Sequence, residues 1–385
     1  MKFLHISDLH LGKLLYQYSL LPDQEFWCNM LVEHLQQEHY DAVVLAGDLF
    51  DRSVPPAEAV ALLDTFLSRL VLDCKVPVLA VSGNHDSPRR LAFGSRLYQA
   101  GGLTMAAVPQ KQITKVTLTD SFGEVDFFLL PYVSPADGKT LFPELDIKSF
   151  GDTYAALLQY NAEQIDPGRR NVLVAHGFFG GSKDDNLSDA LRCDSEVEVG
   201  GLDLVNSALI AGFDYAALGH LHAPQQAGGE HLRYSGSPLP YSLSEEHQNK
   251  CVYSVELGEK GQLSVTPVQL PSLRKLRSVS GTLEELLAPT EGGFASSDYV
   301  FVNLIADETT ANAAEKLRNV YPNYLAIRYV SQSQGELLLS GESAASRTLS
   351  QAFADFCAQI AGEALTEAQL AIIEELSAQK AGDRL

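Results

Sequence analysis

Seven side chains whose lone pairs suit a divalent cation are spread along the first 222 residues of this chain. They are Asp8 and His10 in DLH, Asp48 in GDLFD, Asn84 in GNHD, His176 in AHGFF, and His220 and His222 in GHLH. Two carboxylates, one amide oxygen and four imidazoles exceed what one ion needs, and they suit two adjacent ions. A carboxylate bridge would join the pair, with Asp48 the natural candidate. Mixed nitrogen and oxygen donors favour manganese, iron or zinc over magnesium or calcium. Two ions about 3.5–4 Å apart can bind a phosphate ester and lower the pKa of a bridging water. His85 stands beside Asn84 and need not ligate. It can protonate a leaving oxygen or stabilise charge on phosphorus, and Asp86 would orient His85 or its loop.

Such side chains must be carried to one place, and the local pattern says how. Short apolar runs lead into each of them: KFLHIS into Asp8, DAVVLAG into Asp48, VPVLAVSG into Asn84, RNVLVA into His176 and YAALG into His220. Runs of this length and composition predict buried strands. Amphipathic stretches at Gln24 to Gln37 and Pro56 to Leu72 separate the first three, giving βαβαβ order, and α/β folds put their sites beyond the carboxyl ends of strands. Ser87 and Pro88 predict a helix start just after Asp86. Gly47, Gly83 and Gly219 precede ligands and would allow tight turns there. From about Gly123 strands follow in quick succession. Val125 to Leu130, Lys250 to Leu257 and Leu263 to Gln269 read as antiparallel, so two packed sheets flanked by helices are expected. His5, within the first strand, reads as a satisfied core or interface residue. His34, His39, His231 and His247 carry no expectation of ligation.

The composition narrows the field. The chain has 385 residues and a net charge of −21, and acidic residues outnumber basic ones both before and after residue 270. That is not the footprint of a free-standing nucleic-acid binder, so a polyanionic substrate would need bound cations, local basic spots or a partner. Arg89, Arg90 and Arg96, and the cluster Arg274, Lys275 and Arg277, are the candidate spots, with a solvated surface as the alternative. No apolar run is long enough for a membrane span and the start MKFLHISDLH is too polar for a signal peptide. The five cysteines are scattered without a CxxC pair, which fits free thiols in a reducing cytoplasm. Around 271–277 the composition changes. Residues 278–340 read as a small α+β unit, with helices at Thr282 to Leu287 and Thr310 to Val320 and strands YVFVNLI and YLAIRYV. The last forty residues read as helical, with Leu370, Ile373 and Leu376 on one face. That face either docks on its own chain or receives a partner helix.

The motif set DLHLGK, GDLFDRSVPP, GNHDSPRRL, AHGFF, LGHLH and YSGSPLPYS resembles the calcineurin-like metallophosphoesterase superfamily. Within it the chain is similar to the nuclease subunits of bacterial SbcCD complexes. The resemblance spans essentially the whole chain. It implies an α/β, four-layer metallophosphoesterase fold: a two-sheet β-sandwich flanked by helices, with a small α+β capping domain and a C-terminal helical tail. The implied boundaries are 1–275 for the nuclease domain, 276–340 for the capping domain and 341–385 for a helix-loop-helix that grips the coiled coil of the ATPase partner SbcC. By motif, Asp8, His10, Asp48 and His222 would hold one metal, and Asp48, Asn84, His176 and His220 the other. His85 and Asp86 would be catalytic, and Arg89 and Arg90 candidates for DNA contact. The implied cofactor is two Mn²⁺, with other divalent ions possible. The implied activity is 3′→5′ exonuclease action on double-stranded DNA ends and endonuclease action on hairpins and single-stranded DNA, in the cytoplasm and associated with the nucleoid. A homodimer within a heterotetramer is implied as well, through helices between Gln17 and Leu35 and around Arg89 to Gln99. One departure stands out: where other branches carry a second histidine after GDLF, this chain has Asp51.

Two rivals are weaker. A phosphoesterase acting on small substrates needs neither the capping domain nor the tail, and a protein phosphatase would carry GDxVDRG and GNHE. A scaffold that only regulates a partner ATPase tends to lose metal ligands, and all seven are intact here.

Overall fold

The computed structural model describes residues 1–181, 204–288, 297–306, 312–331 and 369. The expected C-terminal helix-loop-helix, Cys193 and Cys357 lie outside these residues. The chain forms two compact units that interleave in sequence: Met1–Ser278 with Pro289–Val302 and Leu317–Ala326, and Val279–Ala288 with Asn303–Lys316 and Ile327–Leu385.

In chain order the first unit begins with strand β1 (Lys2–Ile6), helix α1 (Leu21–Gln37), β2 (Ala42–Ala46), α2 (Ala57–Ser68), β3 (Val78–Val81), the short helices α3 (Pro88–Leu91) and α4 (Ser95–Gly101), and β4 (Leu103–Ala106). It continues with β5 (Thr114–Asp120), β6 (Gly123–Leu130), α5 (Pro135–Leu141), α6 (Phe150–Tyr160), β7 (Arg170–His176), β8 (Tyr215–Gly219), β9 (Gln225–Gly229), β10 (Leu232–Tyr234), β11 (Val252–Leu257) and β12 (Leu263–Val268). One six-stranded sheet has the order β12-β11-β1-β2-β3-β4, and the other β9-β10-β8-β7-β6-β5. Strands β1 to β4 run parallel, as do β6, β7, β8 and β10. The expectation of an antiparallel β6 is half right. It pairs antiparallel with β5 but parallel with β7, and it is buried on both faces from Val125 onward, as a sheet covered on both sides requires.

The two sheets pack face to face over Phe3, Val44, Leu79, Phe127, Val174 and Tyr215. Phe3 meets Phe127 and Tyr215 edge to face at ring separations of 5.4 and 5.8 Å, geometry that aromatic quadrupoles favour. Helices α1 and α2 bury Trp27, Leu31, Val32, Leu63 and Phe66 against the outer face of the first sheet. Helix α6 buries Tyr154 and Leu157 against the second, and begins with a capping box between Ser149 and Asp152. These are the four layers that the sequence predicts. His5 is a satisfied core residue. Nε2 donates to the Leu218 carbonyl at 3.1 Å, which leaves Nδ1 to accept from the Tyr215 hydroxyl at 2.9 Å, and burial holds its pKa down to about 3.

Three further strands, β13 (Leu276–Gly281), β14 (Tyr299–Ile305) and β15 (Asn323–Val330), form a small sheet in that order. Helices α7 (Leu283–Leu287) and α8 (Ala313–Val320) accompany them. In the basic cluster at the start of β13, Arg274 pairs with Asp23 and Arg277 with Asp298, each at 2.7 Å, while Lys275 is exposed. Neither arginine is the open phosphate contact or the solvated charge considered from sequence. Cys28, Cys74 and Cys251 are free thiols. Among the described residues no helix is long and apolar enough to cross a membrane.

Candidate metal centre

The parallel strands of both sheets deliver their carboxyl ends to one place. Asp8 and His10 follow β1, Asp48 follows β2, Asn84 follows β3, His176 ends β7, and His220 and His222 follow β8. The backbone there is strained. Asp8, His10, Asp48 and His220 have φ of 53°, 43°, 49° and 118°, a region that side chains other than glycine avoid and that persists where surrounding contacts enforce it. The enforcing contacts are visible. Asp8 N–H donates to the Gly47 carbonyl at 3.1 Å, and His10 N–H to the Asp48 carbonyl at 2.9 Å. The Gln24 side chain from the first turn of α1 holds the outer side of the same loop. It accepts from Gly12 N–H at 3.0 Å and donates to the carbonyls of Leu9 and His10 at 3.1 and 2.8 Å.

The three glycines have two different reasons. Gly47 does take a left-handed conformation, φ 91°. Gly83 and Gly219 do not, which corrects the expectation of tight turns. A Cβ on Gly83 would collide with Asp48, and one on Gly219 with the Ala46 carbonyl and His176. They are glycines because strand ends from the two sheets approach there too closely for any side chain.

The donor atoms converge. Asp48 Oδ2 lies 3.4 Å from His176 Nε2 and 3.6 Å from His10 Nε2. Asn84 Oδ1 lies 2.9 Å from His176 Nε2 and 3.1 Å from His220 Nδ1. His222 Nε2 lies 3.2 Å from His10 Nε2. The backbone N–H of His220 donates to both Asp8 oxygens, at 3.0 and 3.2 Å, and that of His85 to Asp48 Oδ1 at 2.9 Å. Among the described residues three tight groups of metal-capable atoms result: Asp8, His10 and His222, and Asp8, Asp48 and His176, all buried, and His10, Asp51 and His85, of which only His10 is buried.

Burial sets the electrostatics. It pushes the Asp8 carboxyl up, with the nearby Asp48 charge adding to that, and holds His10 well below the ordinary histidine range. Burial also works against a charge on Asp48, yet the His176, His10 and His85 imidazoles beside it bring its pKa down. Burial works against a charged His176 in the same way, but Asp48 and Asp8 raise it to about 9. A buried carboxylate surrounded by imidazoles therefore calls for positive charge, which a proton on His176 can supply only in part. The Nδ1 atom of His10 is buried without a hydrogen-bond partner. His176 Nδ1 donates to the Ala46 carbonyl at 2.8 Å, so Nε2 is the ring nitrogen that faces Asp48 and Asn84. The donor set fits two divalent cations: Asp8, His10, Asp48 and His222 could hold one, and Asp48, Asn84, His176 and His220 the other.

His85 stands beside this cluster, its ring 4.8 Å from that of His10. Its Nδ1 donates to the Asp51 carbonyl at 2.9 Å. That bond engages Nδ1 and leaves Nε2 as the ring nitrogen turned away from Asp51. Asp86 does not touch the His85 ring. Its carboxylate accepts from three backbone amides: Leu49 at 3.1 Å, Phe50 at 3.0 Å and Gly83 at 2.9 Å. Of the two roles considered for it, only that of loop organiser survives, and it ties the Asp48 loop to the Asn84 loop. Burial, with the Asp48 charge, raises its pKa to about 6. Asp51 pairs with Lys13 at 2.8 Å, and a second oxygen–nitrogen approach, to His10 Nδ1, is 3.8 Å. Arg89 and Arg90 are exposed on α3, whose start at Ser87 and Pro88 falls where expected, although the Ser87 side chain makes no capping bond.

Sequence reasoning missed three supporting residues. Besides Gln24 they are Tyr241, whose hydroxyl donates to the Leu9 carbonyl and whose ring stands edge to face with His10 and His222, and Glu245, which accepts from His222 Nδ1 at 3.1 Å. Tyr241 and Glu245 lie in or just after YSGSPLPYS, where the only signal was a resemblance with no chemical role attached.

Strand-end ligands gathered between two sheets are the mark of one class, and the chain belongs to it. Residues 1–224 match the calcineurin-like phosphoesterase family, and the protein is a metal-dependent phosphodiester hydrolase of that family. Residues 272–360 match the type 5 capsule protein repressor C-terminal domain. The SbcD chain of the nuclease SbcCD from Staphylococcus epidermidis is 31% identical over 330 residues, which is 86% of this chain and 86% of that protein, and places the chain in the SbcD family. A solved dimetal phosphatase from Danio rerio is similar at 14% identity, over 71% of this chain and 98% of that one, with a TM-score of 0.38.

Proposed function

We propose that the protein is a manganese-dependent DNA nuclease, a 3′→5′ exonuclease on double-stranded ends and an endonuclease on hairpins and single strands, acting with an SbcC-type ATPase. The observation that carries this reading is the convergence of Asp8, His10, Asp48, His176 and His222 on one buried cluster that calls for cations, with the partly exposed Asn84 and His220 beside it. The relative's description as a nuclease supports the choice of a nucleic acid over a small ester. When bound, two divalent ions supply Lewis acidity and a strong nucleophile at neutral pH. The chain's own contribution is positional. Asp86 and Gln24 lock the loops that carry the ligands, so that the geometry costs no reorganisation during reaction. His85, held by the Asp51 carbonyl, gives the proton on Nε2 to the departing oxygen.

The acidic surface supports a division of labour in which the ATPase supplies much of the DNA-binding charge. Residues 341–385 are the proposed grip on its coiled coil. Removing residues 345–385 is expected to spare manganese-dependent hydrolysis of a small phosphodiester and to abolish co-purification with the ATPase. Undiminished co-purification would rule out that docking role. Homodimerisation is proposed through the helices between Gln17 and Leu35 and around Arg89 to Gln99. In the second of these segments Phe93 and Leu97 are 80% and 79% exposed; on α1, Trp27, Leu31, Val32 and Leu35 are buried while Phe26 and Met30 are partly exposed. Neighbouring side chains so large and so exposed support an interface in that segment.

A further inference from the structure

The segment after β10 carries a group that the hydrolytic chemistry above does not use. Glu245 closes a short turn at Leu243–Glu245 and has no exposed surface. A carboxylate is left there only if its oxygens are engaged. Oε1 accepts from His222 Nδ1 at 3.1 Å and from the Ser242 hydroxyl at 3.0 Å. Oε2 accepts from Lys250 Nζ at 2.6 Å and the Ser237 hydroxyl at 3.3 Å. Lys250 also donates to the His222 carbonyl at 2.9 Å and the Ser237 hydroxyl at 2.8 Å, and Ser237 N–H donates to the same carbonyl at 3.0 Å. His222 is thus held at its ring and at its backbone by one ion-paired network.

We infer that Glu245 is the positioning residue of one half of the metal centre, fixing the tautomer and orientation of His222 so that its Nε2 lone pair is presented beside His10. The inference rests on the two-metal reading above. Two observations favour this role over simple support of the fold. A buried ion pair seldom stabilises a fold more than apolar residues of the same size would, so this one is not explained by stability. Its acceptor also falls on the ring nitrogen opposite the one facing His10. Where His176 and His85 use backbone carbonyls for this purpose, His222 uses a carboxylate, a stronger acceptor that raises the basicity of the ligating nitrogen.

The test is Mn²⁺ binding to the full-length, metal-stripped protein, followed by calorimetry and by the loss of the aqueous Mn²⁺ resonance signal. The wild-type chain is expected to take up two ions. Glu245→Gln, nearly the same size, is expected to weaken one of the two roughly 10- to 100-fold and leave the other unchanged, with Glu245→Ala weaker still at the same step. The unfolding temperature of the metal-free variants separates this from a general loss of structure. A variant that melts earlier but binds both ions as the wild type does would overturn the inference, as would equal weakening of both steps. If Glu245→Ala does not fold, Glu245→Gln alone decides. A wild-type chain that binds fewer than two Mn²⁺ overturns the two-metal reading itself, before any variant is compared.

Discussion

At the scale of single residues, the site is made by close approach. Gly219 illustrates the point, since it lies at an ordinary φ and is required only by space. Gly219→Ala would push a methyl group into the Ala46 carbonyl and the His176 ring. Overpacking of this kind costs about 1–3 kcal/mol. Thermal or denaturant unfolding should show that loss, and a variant as stable as the wild type would mean that the strand ends have room to part. The side chains that the fold gathers were legible in the sequence, because each follows an apolar run and strand ends are where α/β folds place chemistry. The supporting residues were not. Gln24 looks like any polar residue in a helix's first turn, and Glu245 like any acid in a turn. Their roles exist only once distant segments meet. Asp86 was legible with two roles, toward the His85 ring or toward its loop, and the sequence could not choose between them, because a carboxylate next to a histidine also points to that histidine; the fold turns it toward three amides of the neighbouring loops.

At the scale of elements, the two sheets act as rigid arms. Strand type and order were readable where runs were short, apolar and followed by turn residues. The direction of β6 was not, since pairing partners are a tertiary choice and a run buried on both faces carries no alternation. The far end of the sandwich is fastened by Arg170 at the start of β7, which grips Asp120 at the end of β5 through Nη1 at 3.0 Å and Nη2 at 2.6 Å. The Arg170 guanidinium holds the Asp120 carboxyl well below the usual carboxylate range, against the effect of burial. A carboxyl whose folded pKa is depressed stabilises the fold above its unfolded pKa, near 3.9, and loses that contribution as pH falls through the folded value. The stability difference between wild type and Asp120→Asn should therefore stay constant from neutral pH to about pH 4 and shrink below it. A difference that already shrinks between pH 7 and 5 would contradict this assignment.

At the scale of the whole molecule, the sequence's acidity and its exposed apolar patch point to partners. Phe93, in the α3–α4 turn, and Leu97, on α4, are large apolar side chains left 80% and 79% exposed, a pair that suits a partner surface. The double substitution Phe93→Glu, Leu97→Glu should convert a dimer to a monomer in sedimentation analysis, while the secondary structure stays as it was. A wild-type chain that already sediments as a monomer would sink the proposed interface.

The central claim is that the gathered strand ends form a metal-dependent nuclease centre with His85 as its proton donor. Cleavage of an end-labelled DNA hairpin by the purified chain tests it most directly, with Mn²⁺, with chelator, and with His85→Ala alongside. Cutting is expected with Mn²⁺ and not with chelator. The variant should cut roughly 10²- to 10⁴-fold more slowly with its manganese content unchanged. Cleavage that survives the chelator, or a His85→Ala variant that cuts at the wild-type rate, would contradict the account.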